Sequence, residues 1–216
     1  MKRFAVIGLG NFGATVARGL SAEHCRVTAV DSDKARVQAL ADDVDLALVG
    51  DATVHAFLEK LSVQDFDCIV VSTGKDSHAS ILIALHLKEL GAKKLIVKAN
   101  SNDHAKVLLK VGADEAVIPE KQMAERVAMS LARPNMLDHL PLSEDYYVAE
   151  VLAPRNFAGQ RLTDLDLRNR YHIQVVAVKN QSSEALDFAP AGSFKIKHGD
   201  ILVVLGKGAD IEKLKG

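Results

Sequence analysis

Short, β-branched apolar runs alternate with amphipathic stretches over the first two-thirds of the chain. Residues 4–7, 27–30, 46–49, 69–72, 95–98 and 116–118 read as strands, and 12–23, 34–41, 54–61, 77–90 and 103–111 as helices. Runs that are apolar throughout and flanked by helices suit a parallel sheet covered on both faces. The alternation predicts an α/β, doubly wound, Rossmann-like fold. Along 77–90, Ile81, Leu82, Leu85 and Leu87 form the expected core-facing stripe. Pro119 is expected to close the sixth strand, a helix follows over 121–131, and Arg133-Pro134-Asn135 breaks the pattern.

Beyond the break the rhythm changes. Residues 147–152, 174–179 and 201–205 read as strands. Asn180-Gln181-Ser182-Ser183, Ala191-Gly192-Ser193 and His198-Gly199-Asp200 mark turns, and Gly206-Lys207-Gly208 leads into a short helix. The expected division is a nucleotide-binding domain over 1–135 and a small α+β module over 136–216. A module of about 75 residues folds alone only marginally, so it is expected to pack against a copy of itself. The chain shows no internal repeat and no low-complexity tract.

Charge narrows the partners. Lys+Arg total 27 against 28 for Asp+Glu, a formal net charge of -1. Non-specific nucleic-acid affinity needs surplus positive charge, so a nucleic-acid partner is not expected. The stretches 34–36 and 106–110 read as solvated charged faces. No apolar run approaches the roughly 20 residues of a membrane span, and the N-terminus enters a strand pattern without a leader-like segment. The expectation is a soluble protein that works at a membrane only through a partner. Cys25 and Cys68 read as small buried hydrophobes without a disulfide framework. The eight histidines show no zinc-binding spacing, and His104, opening the helix before Gly112, reads as a helix-terminus residue or as one close to the crevice.

The chemistry concentrates at Gly8-x-Gly10-x-x-Gly13, after the first strand and at the opening of the first helix. The first glycine permits the turn, the second lets phosphate approach the backbone, and the third lets helix and strand pack closely. The helix start offers unpaired N–H donors and a positive dipole end. Asp31 ends the second strand, where a carboxylate accepts from both ribose hydroxyls and repels a 2′-phosphate, disfavouring NADP. After the third strand, Gly50-Asp51-Ala52-Thr53 is expected beside the adenine. Asp51 is either an acceptor for the adenine amino group or the N-cap of the following helix. Ser72-Thr73-Gly74 approaches from the other side of the crevice, with Lys75 either a phosphate partner or an exposed loop lysine. These features read the adenosine-phosphate half of a ligand and do not separate NAD from ATP or ADP. No Gly-x-Ser-x-Gly elbow and no Walker lysine are present.

Residues 4–13 (Phe4 through the three glycines), Ala29-Val30-Asp31, Gly50-Asp51-Ala52-Thr53, Ile96-Val97-Lys98-Ala99, Gly112-Ala113-Asp114 and Pro119-Glu120-Lys121 resemble the regulator-of-potassium-conductance (RCK) domain. The similarity is to the cytosolic regulatory subunits of Trk/Ktr bacterial potassium uptake systems. It extends into the tail through Asp166-Leu167-Arg168-Asn169-Arg170-Tyr171 and Gly199-Asp200. The resemblance implies a non-catalytic sensor, cytoplasmic and peripheral to the inner face of the membrane. Its dimers would assemble into an octameric ring beneath a potassium-translocating membrane subunit, with ATP and ADP favouring different ring shapes. The implied nucleotide contacts are Gly8, Gly10, Asn11, Phe12, Gly13, Asp31, Ser32, Asp51, Ala52, Thr53, Ser72, Thr73, Gly74 and Lys98. Glu120 is implied as a ligand of a divalent cation, Mg2+ or Ca2+. Its other reading is a carboxylate favoured by a helix N-terminus. Arg168 and Tyr171 stand where some relatives bind cyclic di-AMP.

One position departs from the family pattern. Ktr-type regulators tend to carry arginine where this chain has Asn11. An amide supplies no charge to a γ-phosphate, which makes NAD or NADH the alternative ligand. An NAD-dependent dehydrogenase is the first rival, but the second module is too small to cover a nicotinamide and offers no acid/base pair. A redox-sensing nucleotide-binding transcription factor is the second, and no basic recognition helix is visible.

Overall fold

The computed structural model describes residues 1–74, 76–132, 136–143, 145–180 and 186–214. The chain forms two compact units, 1–122 and 123–216. The first runs β1 (Arg3–Ile7), α1 (Asn11–Ala22), β2 (Arg26–Asp31), α2 (Lys34–Gln38), β3 (Leu46–Val49), α3 (His55–Glu59), β4 (Cys68–Val71), α4 (Ser77–Glu89), β5 (Leu95–Lys98), α5 (Asn102–Val111) and β6 (Glu115–Val117). Helix α6 (Pro119–Ala132) follows. The strands pair in parallel in the order β3-β2-β1-β4-β5-β6. That order reverses direction between β1 and β4, which opens a crevice at their C-terminal ends.

Period-two alternation along the strands loads both faces of this sheet. Ala5, Ile7, Val30, Ile69 and Val71 pack with Leu58, Ile83, Leu87 and Leu108. Val6, Val27, Ala29 and Val70 pack with Ala17, Val37 and Leu40. Leu87 is fully buried, so truncating it to alanine costs roughly 2–5 kcal/mol.

Several expectations need correction. The core face of α4 is Ser80, Ile83, Ala84 and Leu87, while Leu85 is exposed. The stripe read from the sequence was right for Leu87, and Ile81 packs against the same core, but it missed Ser80, Ile83 and Ala84, which complete the i, i+3, i+4, i+7 face. Pro119 does not close β6; it is the first residue of α6, where its missing N–H costs nothing. Cys25 is only half-buried, and both cysteines are free thiols. The motif Gly112-Ala113-Asp114 turns out to be architectural. Gly112 ends α5 at φ 117, Ala113 is buried, and Asp114 Oδ2 accepts from the Leu95 amide at 2.7 Å.

The second unit holds β7 (Met136–Pro141), β8 (Tyr146–Leu152), α7 (Leu162–Leu165), α8 (Leu167–Tyr171), β9 (Gln174–Lys179), β10 (Leu186–Phe188), β11 (Ile201–Lys207) and α9 (Gly208–Ile211). Its sheet is antiparallel in the order β10-β9-β11-β8-β7. One face packs Val151, Val178, Leu202 and Val204 against Leu165, Leu167, Ile211 and Leu214. Strands β7 and β10 and helices α7 and α8 have no counterpart in the sequence reading. Residues 133–135 and most of the turn at 180–183 lie outside the described residues. Among the described residues no helix is long and apolar enough to cross a membrane.

Candidate functional site

The glycine loop departs from β1 through Gly8, at φ 90, whose amide donates to the Val30 carbonyl at 2.7 Å. A Cβ on Gly8 would lie 2.1 Å from the Ser72 carbonyl oxygen, and one on Gly13 would lie 1.9 Å from the Gly8 carbonyl oxygen. Both positions are closed by backbone. Gly10 is different: a Cβ there would meet nothing within 4 Å. The second glycine therefore faces open space at the start of α1.

That helix start is chemically open as well. Helices α2, α4 and α5 are capped by the side chains of Asp33, Asp76 and Ser101. The N-cap of α1 is Gly10, which has no side chain to offer. The amides of the first turn point outward with the positive end of the helix dipole behind them, an anion site by construction. Asn11 is exposed at this turn.

Asp31 stands beside it at the end of β2, 7% exposed. Its Oδ2 accepts from the Leu9 amide at 2.6 Å and its Oδ1 from the Asp33 amide at 2.8 Å. Each oxygen keeps a second lone pair for an incoming hydroxyl. Arg36 reaches the same carboxylate, with Nη1 3.6 Å from Asp31 Oδ2. The sequence reading placed Arg36 on a solvated face. Its position one turn into the helix after Asp31 was the available clue.

At the end of β3, Asp51 Oδ1 accepts from the Thr53 amide at 2.9 Å and the Thr53 hydroxyl at 2.7 Å. Those bonds, the hydroxyl's first, hold the Asp51 carboxyl below its ordinary value. Asp51 does not cap α3, whose N-cap is Val54; it closes its own turn with Thr53. Ala52 is buried against the core.

Across the crevice, the Ser72 amide donates to the Ile7 carbonyl at 2.7 Å, and Gly74 adopts φ 70. The Thr73 hydroxyl donates to the Asp76 carbonyl at 3.2 Å. Lys75 lies outside the described residues. Lys98 ends β5 with its side chain only 13% exposed. Its ammonium pairs with Glu120 Oε1 and stands 5.9 Å from the centroid of the Phe12 ring. This pairing is the main reason the Glu120 carboxyl is held below its ordinary value.

The structure thus brings Gly10, Asn11, Phe12, Asp31, Lys98 and Glu120 to one end of the sheet. Beyond them lies a network the sequence did not reveal. Buried His104 sits with Nε2 3.0 Å from Ser80 Oγ and Nδ1 3.0 Å from Asn100 Oδ1, and Asn100 Nδ2 donates to Ser77 Oγ. Among the described residues no group of three His, Cys, Asp or Glu side chains could hold a metal ion. Glu120 offers one carboxylate, already facing an ammonium. In the second unit, Tyr171 packs edge-on against Phe157 with Arg170 over its ring, and Arg168 is exposed.

The TrkA-N domain family matches residues 4–119 and the TrkA-C domain family residues 147–215. The chain is 41% identical to the Ktr system potassium uptake protein C of Bacillus subtilis (strain 168), over 99% of this chain and 96% of that protein. The chain belongs to the TrkA/Ktr family of potassium uptake proteins. It is also 36% identical to the Ktr system potassium uptake protein A of Vibrio alginolyticus, over 95% of this chain and 92% of that protein. Among solved structures, the RCK domain of GsuK superposes with a TM-score of 0.67 at 19% identity, covering 100% of this chain and 48% of that one. The fold of this Ktr-family chain is therefore the RCK fold. The GsuK channel bound to NAD gives a TM-score of 0.58 at 21% identity, covering 99% of this chain and 38% of the other.

Proposed function

We propose that this Ktr-family chain is a nucleotide-sensing regulatory subunit that gates a membrane potassium transporter. The observation that carries the reading is the open face of Gly10 at an uncapped helix start, hydrogen-bonded through Leu9 to the carboxylate of Asp31. Phosphate binds at the α1 amides, ribose at Asp31, and the far phosphate reaches toward Lys98. Gating follows from differential affinity: a nucleotide shifts the equilibrium only by the difference in its binding to the two states.

Two ligand classes fit this geometry, ATP or ADP and NAD or NADH. Asn11 brings no charge to a terminal phosphate, and the uncapped α1 serves a pyrophosphate from either class. Glu120 supplies one donor to a Mg2+ or Ca2+ ion whose other donors come from the nucleotide. The membrane partner is a potassium-translocating subunit, met by dimers of this chain assembled into an octameric ring. Exposed Met123, Val127 and Leu131, spaced four apart along α6, support self-association. No observation among the described residues favours cyclic di-AMP at Arg168 and Tyr171, and that ligand is not part of the proposal.

The test is a thermal-shift comparison of ATP, ADP, NAD+ and NADH, each with and without Mg2+, followed by co-purification with the potassium-transporting subunit. Stabilisation by one nucleotide class and retention of the partner support the regulator. Turnover of NADH with simple carbonyl compounds would favour a dehydrogenase instead.

A further inference from the structure

We infer that Arg36 is a nucleotide-binding residue whose guanidinium lies on the face of the adenine base; this rests on the nucleotide reading above. Arg36 is the third residue of α2, and its side chain turns back toward the end of β2. Nη1 stands 3.6 Å from Asp31 Oδ2 and Nε stands 3.6 Å from Asp33 Oδ2. At that separation the two carboxylates hold the guanidinium by charge without hydrogen bonds. Its plane and its N–H groups are not spent on them. More than half of the side chain is exposed.

A ribose held by Asp31 fixes where the base must go. The phosphates lie at the start of α1, so the base extends away from the loop, toward the neighbouring strand β3. There it passes between the turn 31–33 and the turn 50–53. On the β3 side, Asp51 and Thr53 are hydrogen-bonded to each other and give a polar edge. The Phe57 ring is packed against Gly50, whose added Cβ would lie 2.1 Å from it, and is half-buried against the core. On the β2 side stands Arg36, a flat, weakly hydrated cation beside Asp31 and Asp33. Such a group stacks on aromatic faces, whereas an ammonium gives only a point charge. Asp31 and Asp33 bias the guanidinium toward the end of β2 by charge.

The experiment is calorimetric titration of the full chain with ADP and with NAD+, and displacement of bound ADP by ribose 5-phosphate, which has no base. Arg36→Ala and Arg36→Lys are compared with the unaltered protein, with unliganded melting temperatures confirming that each variant is folded. Arg36→Ala is expected to weaken the base-bearing ligands roughly five- to tenfold while leaving ribose 5-phosphate within about twofold. Arg36→Lys should recover less than half of the lost factor. Unchanged ADP affinity in Arg36→Ala, full recovery in Arg36→Lys, or an equal loss for ribose 5-phosphate would each overturn the base contact. Failure of the unaltered protein to bind either ADP or NAD+ would sink the nucleotide reading itself, an outcome distinct from those three.

Discussion

The Leu9 amide donates to Asp31 Oδ2 at 2.6 Å, which ties the glycine loop and the carboxylate ending β2 into one hydrogen-bonded unit. Removing the carboxylate therefore has two effects. Asp31→Ala leaves the buried Leu9 amide without its acceptor and is expected to cost about 1–3 kcal/mol of stability in urea unfolding. It should weaken nucleotide binding by a similar about 1–3 kcal/mol, measured by calorimetry. Undiminished affinity in a folded Asp31→Ala protein would place the ribose elsewhere.

Gly13→Ala tests packing rather than binding. Its Cβ would sit 1.9 Å from the Gly8 carbonyl oxygen, a backbone atom that cannot rotate away. A loss of roughly 1–3 kcal/mol is expected without any ligand present. Thermal unfolding of the unliganded protein checks it, and an unshifted melting temperature would show that the loop has room to relax.

Glu120→Gln separates the carboxylate from its charge. The Mg2+ effect on nucleotide-induced stabilisation should disappear, while nucleotide affinity without the metal stays within a few-fold. A cation response equal to that of the unaltered protein would end the metal role of Glu120.

The buried imidazole of His104 predicts a pH dependence. Burial holds it below its ordinary value of 6.5, so the folded protein prefers it neutral. Stability from this group is complete above that ordinary value. It is lost as pH falls through the window beneath, where the unfolded chain takes up a proton more readily. His104→Gln should flatten the denaturation midpoint between about pH 7 and 5. A midpoint that falls equally in the two proteins would assign the acid limb to other groups.

Assembly is the last test. Val127 lies exposed between Met123 and Leu131 on α6. Light scattering of the unaltered protein at micromolar concentration should give a mass well above the 23.3 kDa chain, and Val127→Glu should lower it. A monomer in the unaltered protein would count against any ring.

The first unit was legible in the sequence because parallel strands buried on both faces leave continuous apolar runs, as in Cys68–Val71. Asp31, Gly8 and Gly13 were legible for a related reason: each satisfies a local demand of a strand-turn-helix. What stayed hidden depends on partners distant in sequence. His104 meets Ser80 across 24 positions, and Lys98 meets Glu120 across 22; neither pairing leaves a periodic trace. Arg36 was rightly read as solvated, its side chain being 55% exposed, but its approach to the carboxylates of Asp31 and Asp33 does not show until the turn after β2 is folded. Strand β10 escaped because all three of its residues are exposed, which removes the alternation by which strands are recognised.

The unequal surroundings of the three glycines bear on how such a chain can drift over generations. Selection for folding alone polices Gly8 and Gly13, whatever the protein senses. Gly10 answers only to what comes to rest against it. A descendant that gave up its ligand would keep the outer pair and, among the three glycines, be free to change only the middle one.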